Sequence, residues 1–572
     1  MFSISRSLTA PLASYRNLLV LWFLIAAAAI GCVVLTRRAK AATTWHVSVG
    51  NPGACTTGDP NCSTIKGAVS AAASGDTIVV AAGTYNEHDI NIDFDLTING
   101  AGANTTIVDA QQQGRVFFTC CGTINISGLT ITNGKSSDGV PAATMGGGSH
   151  GDDAGGIGNQ AVLTITSCTI SNNATGKGGD LLFLDSPATS KVGTPTTVTA
   201  TGGRGGNGGG IWNTIPGQLT IRNSTISNNR TGNGGAGNVN GPAGAGGDGG
   251  GIWNNSSLTV INSTVASNQT GAGGPPGGNP AKPTDVNAVG GAGGEGGGIA
   301  NSGTMTVQAS TIALNQTGNG NAGGNGGAGG GVYTGETVAT PIFKSDIIAN
   351  NSVGAGGSGP DIFTDTAVSD QGFNVVGKTD GSTGFTAPSD QTGTIASPLD
   401  AKLDPAGLQS NGGPTKTIAL QATSPAVDRG INTFSLTTDQ RGPGFARTFD
   451  NPSIGNGGGD GTDTGAFEIQ APPSPCAIDT TPPTITCPAN ITKFTDSGQN
   501  TATVNPGTPV ASDNCALKSV NGVRSDGKPL NAPYPLGVTV ITWTATDTSG
   551  NTATCGQSIA VSVPGGSRKV LP

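Results

Sequence analysis

The chain has 572 residues, 97 of them glycine, with 27 Lys+Arg against 35 Asp+Glu and a formal net charge of −8. That balance excludes a basic nucleic-acid-binding surface, and a charged fraction of 11% without heptad spacing excludes a coiled coil or helical bundle. The glycines cluster as pairs and triplets, so collagen with its strict third-residue glycine is excluded as well.

Arg6 and Arg16 precede an apolar run from Leu18 to Leu35 that includes Leu21, Trp22, Phe23 and Ile25. A run of this length just suffices to cross a bilayer as a helix, and Ala39-Lys40-Ala41 offers a cleavage site. Residues 1–42 therefore read as an export signal, cleaved or retained as an anchor, with membrane contact only through residues 18–35. Ten cysteines agree with export. Cys32 lies in the leader, and Cys55 and Cys62 bracket a short loop that a disulfide would close. Cys476, Cys487, Cys515 and Cys555 gather near the C-terminus. Cys120, Cys121 and Cys168 are an odd remainder, so at least one thiol is free or paired between chains. No CxxC spacing occurs and histidines number three, so no metal site is expected.

Repeats organise the middle of the chain. Gly210-Ile211-Trp212-Asn213 leads to Leu219-Thr220-Ile221 and then Ser224-Thr225-Ile226-Ser227-Asn228-Asn229. The same order returns from Gly251-Ile252-Trp253-Asn254 and from Gly298-Ile299-Ala300-Asn301, with an earlier copy at Gly156-Ile157-Gly158-Asn159 and a decayed one at Gly331-Val332-Tyr333. Each unit of about 22 residues holds three short segments of alternating apolar and small polar residues, which is one rung of a parallel β-helix. Ile211, Leu219, Ile221 and Ile226 should point inward, and Asn213, Asn254 and Asn301 should form an asparagine ladder at a turn. Glycine-rich insertions near 135–150, 176–205, 232–249, 271–296 and 318–329 separate the units. Lacking apolar residues, they are expected to leave from one corner as mobile loops. Trp212, Trp253 and Tyr333 share the outward slot of the repeat, where they could stack on sugar rings or cover a glycine-rich loop.

With the upstream strands, residues 43–375 resemble right-handed parallel β-helix proteins of the pectin-lyase-like class. The Gly-Gly-Gly-Ile-x-Asn units are similar to those of bacterial polymorphic outer-membrane and autotransporter-like surface proteins. That resemblance implies either a polysaccharide-cleaving enzyme or an adhesin stalk. Catalysis would require clustered carboxylates with a basic partner. His150-Gly151-Asp152-Asp153 is the one local match and reads as a solvated loop, so no catalytic residue and no cofactor is assigned.

Asn411-Gly412-Gly413-Pro414-Thr415, Ser424-Pro425-Ala426-Val427-Asp428-Arg429-Gly430 and Asp463-Thr464-Gly465-Ala466-Phe467-Glu468 resemble the closing block of choice-of-anchor β-helix proteins. Residues 376–470 are thus expected to cap the solenoid. A Pro-rich linker at 471–478 follows. Next come Asp479-Thr480-Thr481-Pro482-Pro483, Asp513-Asn514-Cys515 and Val538-Thr539-Val540-Ile541-Thr542-Trp543-Thr544-Ala545, ending on Ser549-Gly550-Asn551 and Cys555. Residues 479–564 are similar to the hyalin repeat (HYR) domain, an immunoglobulin-like sandwich linked to adhesion, and 565–572 form a tail. Four cysteines allow three pairings, which the sequence leaves open. The sandwich topology that the resemblance implies ranks Cys515–Cys555 first and leaves Cys476 with Cys487.

The expected molecule is all-β: a β-helix solenoid, then an immunoglobulin-like sandwich, with one N-terminal hydrophobic helix. Its expected work is that of a non-enzymatic surface or secreted adhesion protein contacting extracellular glycans or surface proteins, and no nucleic acid. A polysaccharide lyase or glycoside hydrolase is the alternative.

Overall fold

A computed structural model describes residues 42–142, 147–181, 201–237, 241–277, 289–335, 339–470 and 479–565. The hydrophobic N-terminal segment, Cys32, Cys476, the linker at 471–478 and the tail beyond 565 lie outside the described residues. Among the described residues no helix is long and apolar enough to cross a membrane. The chain divides into two compact units, Met1–Ile469 and Gln470–Pro572.

The first unit is a parallel β-helix. Its rungs pair in register: Ile157, Ile211, Ile252, Ile299, Val332 and Ile362 stack in one column. Leu163, Leu219, Leu258 and Met305 stack in a second, and Ile170, Ile226, Val265, Ile312 and Ile348 in a third. All are buried, and together they form one continuous core. The alternation of aliphatic with Thr or Ser residues places one set inside and the other outside, as the pleat requires. Two corners of each rung turn on a single left-handed residue, for example Asn223 with Asn228 and Asn262 with Ser267. A short polar side chain tolerates that conformation best. The third column runs on to Gln391–Thr392, past residue 375. A seven-residue helix, Ile65–Ala71, packs Ile65, Ala68 and Val69 onto the first rungs, and a Cys55–Cys62 disulfide braces the loop before it.

Residues 401–469 cover a flank of the solenoid. Gln440 accepts from the Thr264 hydroxyl (2.6 Å) and donates to Thr225 Oγ1 (2.8 Å), while the Ala466 amide donates to Thr311 Oγ1 (3.1 Å). Leu403, Ile418 and Phe467 pack on Ala266, Ala313, Ile347 and Ala349 in a second core. The outward positions of the third column turn from Ser to Ala along these rungs, and that apolar stripe needs a cover.

The glycine-rich insertions depart furthest from expectation. Their described parts are mostly buried and bonded to one another, not solvated. Amides at 202, 205 and 208 donate to carbonyls at 242, 245 and 248 of the next rung; those at 243, 246 and 249 donate to 289, 292 and 295; those at 290, 293 and 296 donate to 322, 325 and 328. Across each insertion Gly244 donates to the Gly235 carbonyl and Gly247 to Gly232, and Gly291 and Gly294 repeat this with Gly274 and Gly271. A three-residue period with all bonding lateral is the geometry of packed polyproline II chains. A methyl group on Gly244 would sit 1.9 Å from the Gly203 carbonyl oxygen, and one on Gly247 1.8 Å from that of Gly206. The insertions need no apolar side chains because bare backbones satisfy each other at close approach.

The second unit has a four-stranded sheet in the order Ile491–Phe494, Thr552–Ser562, Gly537–Asp547, Leu517–Arg524. Two short antiparallel pairs accompany it, Thr484–Thr486 with Val510–Ser512 and Thr501–Ala502 with Tyr534–Pro535. Ala502, Tyr534, Ile541, Trp543, Ile559 and Val561 form its core. Cys487 is bonded to Cys555, which overturns the expected Cys515–Cys555 and Cys476–Cys487 pairs. Register explains the correction. Cys555 lies opposite Trp543, whereas Cys515 precedes Leu517, which lies opposite Asp547. More than four residues of strand rise, at about 3.3 Å each, put Cys515 out of disulfide reach of Cys555. Cys515 is itself disulfide-bonded. Cys120, Cys121 and Cys168 are free thiols.

Candidate functional site

Two surfaces of the solenoid gather functional side chains. The first is the outward slot of the first strand column, where Phe118, Gly158, Trp212, Trp253, Ala300, Tyr333 and Phe363 follow one another in register. Trp212 and Trp253 stack with centroids 5.9 Å apart and planes 9° apart, and Tyr333 stacks on Phe363 at 5.7 Å and 6°. Stacking along the solenoid axis turns one face of each ring to its neighbour, so the half-buried rings offer solvent mainly their edges. Ala300 interrupts the column between Trp253 and Tyr333.

An acidic column runs beside it, four residues before each inward isoleucine: Asp153, Asn207, Asp248 and Glu295. The first three side chains each accept from the amide of the next rung, Asn207 to Asp153 (2.6 Å), Asp248 to Asn207 (2.8 Å) and Glu295 to Asp248 (2.8 Å). Arg204 pairs with Asp248. Burial pushes the Asp153 and Glu295 carboxyls up, and Glu295 shares a hydrogen bond with the Tyr333 hydroxyl, itself pushed well up by burial and that carboxylate. These carboxylates are engaged in holding rungs together.

The expected asparagine ladder joins Asn159, Asn213, Asn254 and Asn301 through amide bonds of 2.6–2.7 Å, with every member buried. A second ladder went unread in the sequence: Asn173, Asn229, Asn268, Asn315 and Asn351, linked at 2.9–3.0 Å and ending on Asp361. The Asn that ends every copy of the segment Ser224-Thr225-Ile226-Ser227-Asn228-Asn229, at 173, 229, 268, 315 and 351, was its signal.

The second surface is a cleft of about 290 Å³ lined by Asp89, Gln112, Gln113, Gly114, Arg115, Lys135, Ser136, Ser137, Asp138 and Asp152. Successive rungs build it. The Asp89 amide donates to the Arg115 carbonyl (2.7 Å), the Lys135 amide to that of Gly114 (2.9 Å), and the Asp152 amide to that of Ser137 (2.9 Å). Left-handed Gln111 and Gln112 turn the chain sharply before Arg115, whose guanidinium lies 5.5 Å from the Phe118 ring centroid. Lys135 is 3.8 Å from Asp138, and His88 contacts Asp89 at 2.9 Å on the rim. Asp152, read from sequence as part of a solvated loop, therefore joins two cations and two further carboxylates, while Asp153 heads the acidic column. Such a cleft can hold an anionic or hydroxyl-rich ligand: Arg115 and Lys135 meet carboxylate or sulfate, and the aspartates accept from hydroxyls.

Residues 478–561 match the HYR domain. Residues 60–138 match Chondroitinase B, a parallel β-helix family, and the match takes in Asp89, Arg115, Lys135 and Asp138 of the cleft but not Asp152. The resemblance to a β-helix protein carrying an HYR domain thus stands on both units. Within the HYR domain, Trp543 Nε1 donates to Gln557 Oε1 (3.1 Å) beneath the sheet, and Arg524 lies 3.7 Å over the buried Tyr534 ring while paired with Asp526.

Proposed function

We propose that this chain is an exported structural and adhesion protein, with the solenoid as a rigid support and the HYR domain as its adhesive module. The observation that carries this reading is the HYR match, which spans nearly all of the second unit's described residues. Disulfides in both units suit an oxidising, extracellular compartment. The acidic column favours support over catalysis, since its carboxylates are bonded to neighbouring rungs. The partners would be extracellular glycans or surface proteins. Binding of the intact protein to a glycan array and to surface-protein panels, without release of any sugar product, is the expected result. Turnover of a bound glycan would overturn it.

The cleft and the Chondroitinase B match favour a second reading, a lyase acting on an acidic polysaccharide such as chondroitin sulfate. Arg115 and Lys135 would hold the uronate carboxylate there. Unsaturated products from chondroitin sulfate, abolished in Arg115→Ala and Lys135→Ala, would establish this reading in place of the first.

A further inference from the structure

The start of the HYR domain and the turn before the strand Leu517–Arg524 bring two carboxylates together. Asp479 is 7% exposed. Its Oδ1 accepts from the Thr481 amide (2.9 Å) and from Asn514 Nδ2 (3.2 Å), while its Oδ2 is buried and without a hydrogen-bond partner. Asp513 is divided in the same way: Oδ2 accepts from the Cys515 amide (2.9 Å), and Oδ1 is buried without a partner. Ligand atoms from Asp479, Asp513 and Cys515 lie within 4.8 Å of one another. The Cys515 sulfur is in a disulfide, so it is no thiolate and the usable donors are oxygens.

Turn formation explains one oxygen of each carboxylate and leaves the other unexplained. An ionised oxygen buried without a donor is unfavourable, and two side by side repel. A cation between them removes both penalties. We propose that Asp479 Oδ2 and Asp513 Oδ1 bind a calcium ion at the entry to the HYR domain. A carboxylate oxygen of Asp479 and one of Asp513 lie within 4.8 Å of each other, so a single calcium with Ca–O contacts of about 2.3–2.6 Å can bridge the two side chains, and the absence of imidazole or thiolate from the cluster disfavours zinc and copper. The Asp479 backbone is held separately by the hairpin, where Asn551 Nδ2 donates to the Asp479 carbonyl (2.8 Å) and to Asp547 Oδ2 (2.8 Å). Calcium would therefore fasten the first residues of the domain to the turn at 513–515.

With few protein ligands, affinity should be that of an extracellular module, with Kd about 10⁻⁴–10⁻³ M. The test is calcium titration of the full chain by calorimetry, with hydrogen exchange followed by peptide mapping in calcium and in chelator. We expect a binding event in this range and slower exchange confined to peptides around 479–482 and 513–517. Asp513→Asn should weaken binding at least tenfold and abolish the protection, with the Cys487–Cys555 peptide still recovered as the sign of a folded domain. Unchanged exchange of those peptides in the parent protein with and without calcium overturns the proposal, whatever the variant does. So does parent-like binding by a folded Asp513→Asn protein.

Discussion

Single positions in this chain differ sharply in what they tolerate. Gly244 has the Gly203 carbonyl 1.9 Å from where a Cβ would stand, whereas Gly455 has nothing within 4 Å and no left-handed φ. Gly244→Ala should cost about 1–3 kcal/mol, since backbone must move to admit the methyl. Gly455→Ala should be neutral or stabilise by about 0.4–1 kcal/mol through the unfolded chain. Denaturant midpoints of the two variants separate these outcomes. Asn254 is another sensitive position: it donates to Asn301 Oδ1 and the Thr304 carbonyl and accepts from Asn213. Asn254→Ala strands several buried partners at once, and a loss of about 1–3 kcal/mol is expected in the same assay. This ladder was legible because Asn recurs at one place after each inward isoleucine. The cleft was not, because Asp89, Arg115, Lys135 and Asp152 come from four separate turns and meet only through rung register.

At the scale of elements, the strands were readable and their covalent ties were not. Alternating Ile and Thr fixes which face is inside, but a disulfide depends on how far one strand has slid past another, and that offset is set by the whole sheet. The bond found, Cys487–Cys555, spans 68 residues. Replacing both cysteines by alanine should destabilise the HYR domain by about 4 kcal/mol in the chain-entropy model, measured by denaturant unfolding, and unreduced peptide maps should contain the 487–555 link. The last rung carries a pH response. Burial and the neighbouring Asp370 carboxylate push Asp390 up to about 7, while hydrogen bonds from Asp390 and from the Gly372, Ala387 and Thr386 amides keep Asp370 low despite burial. Folded Asp390 thus keeps a proton that the unfolded chain gives up near pH 4. Its contribution is fully present below that pH and fades as pH rises towards about 7, then levels off. Allowing for solvent screening of this part-exposed pair, the decline should be about 1 kcal/mol. Asp390→Asn supplies a permanent donor and should flatten the change in denaturant midpoint between about pH 4.5 and 8.

For the molecule as a whole, two ordered bodies run side by side in the first unit: an aliphatic β-helix and a glycine lattice. The sequence disclosed the first and hid the second. The spacing 232, 235; 244, 247, 250; 291, 294, 297 is a three-residue glycine period, but extra glycines between these positions blur it into low complexity. Composition suggested solvated loops because a packed body normally needs apolar side chains, and here amide–carbonyl bonds between bare backbones take their place. Amides at 205, 208, 246, 249, 293 and 296 should therefore exchange with solvent about as slowly as those of the neighbouring strands. Exchange at the rate of unstructured peptide, read by mass spectrometry, would refute the lattice.

That lattice also bears on how the gene can change. Glycine is encoded by four codons that share their first two bases, so third-base changes are silent. Every first- or second-base missense change introduces a residue with a Cβ. At Gly203, Gly244, Gly247 or Gly271 that atom would stand 1.8–1.9 Å from a backbone oxygen. The low-complexity tracts, usually the most freely drifting part of a coding sequence, are here the part with least room for substitution. Variation should collect instead at the intervening exposed positions such as Lys177, Asn233 and Asn319.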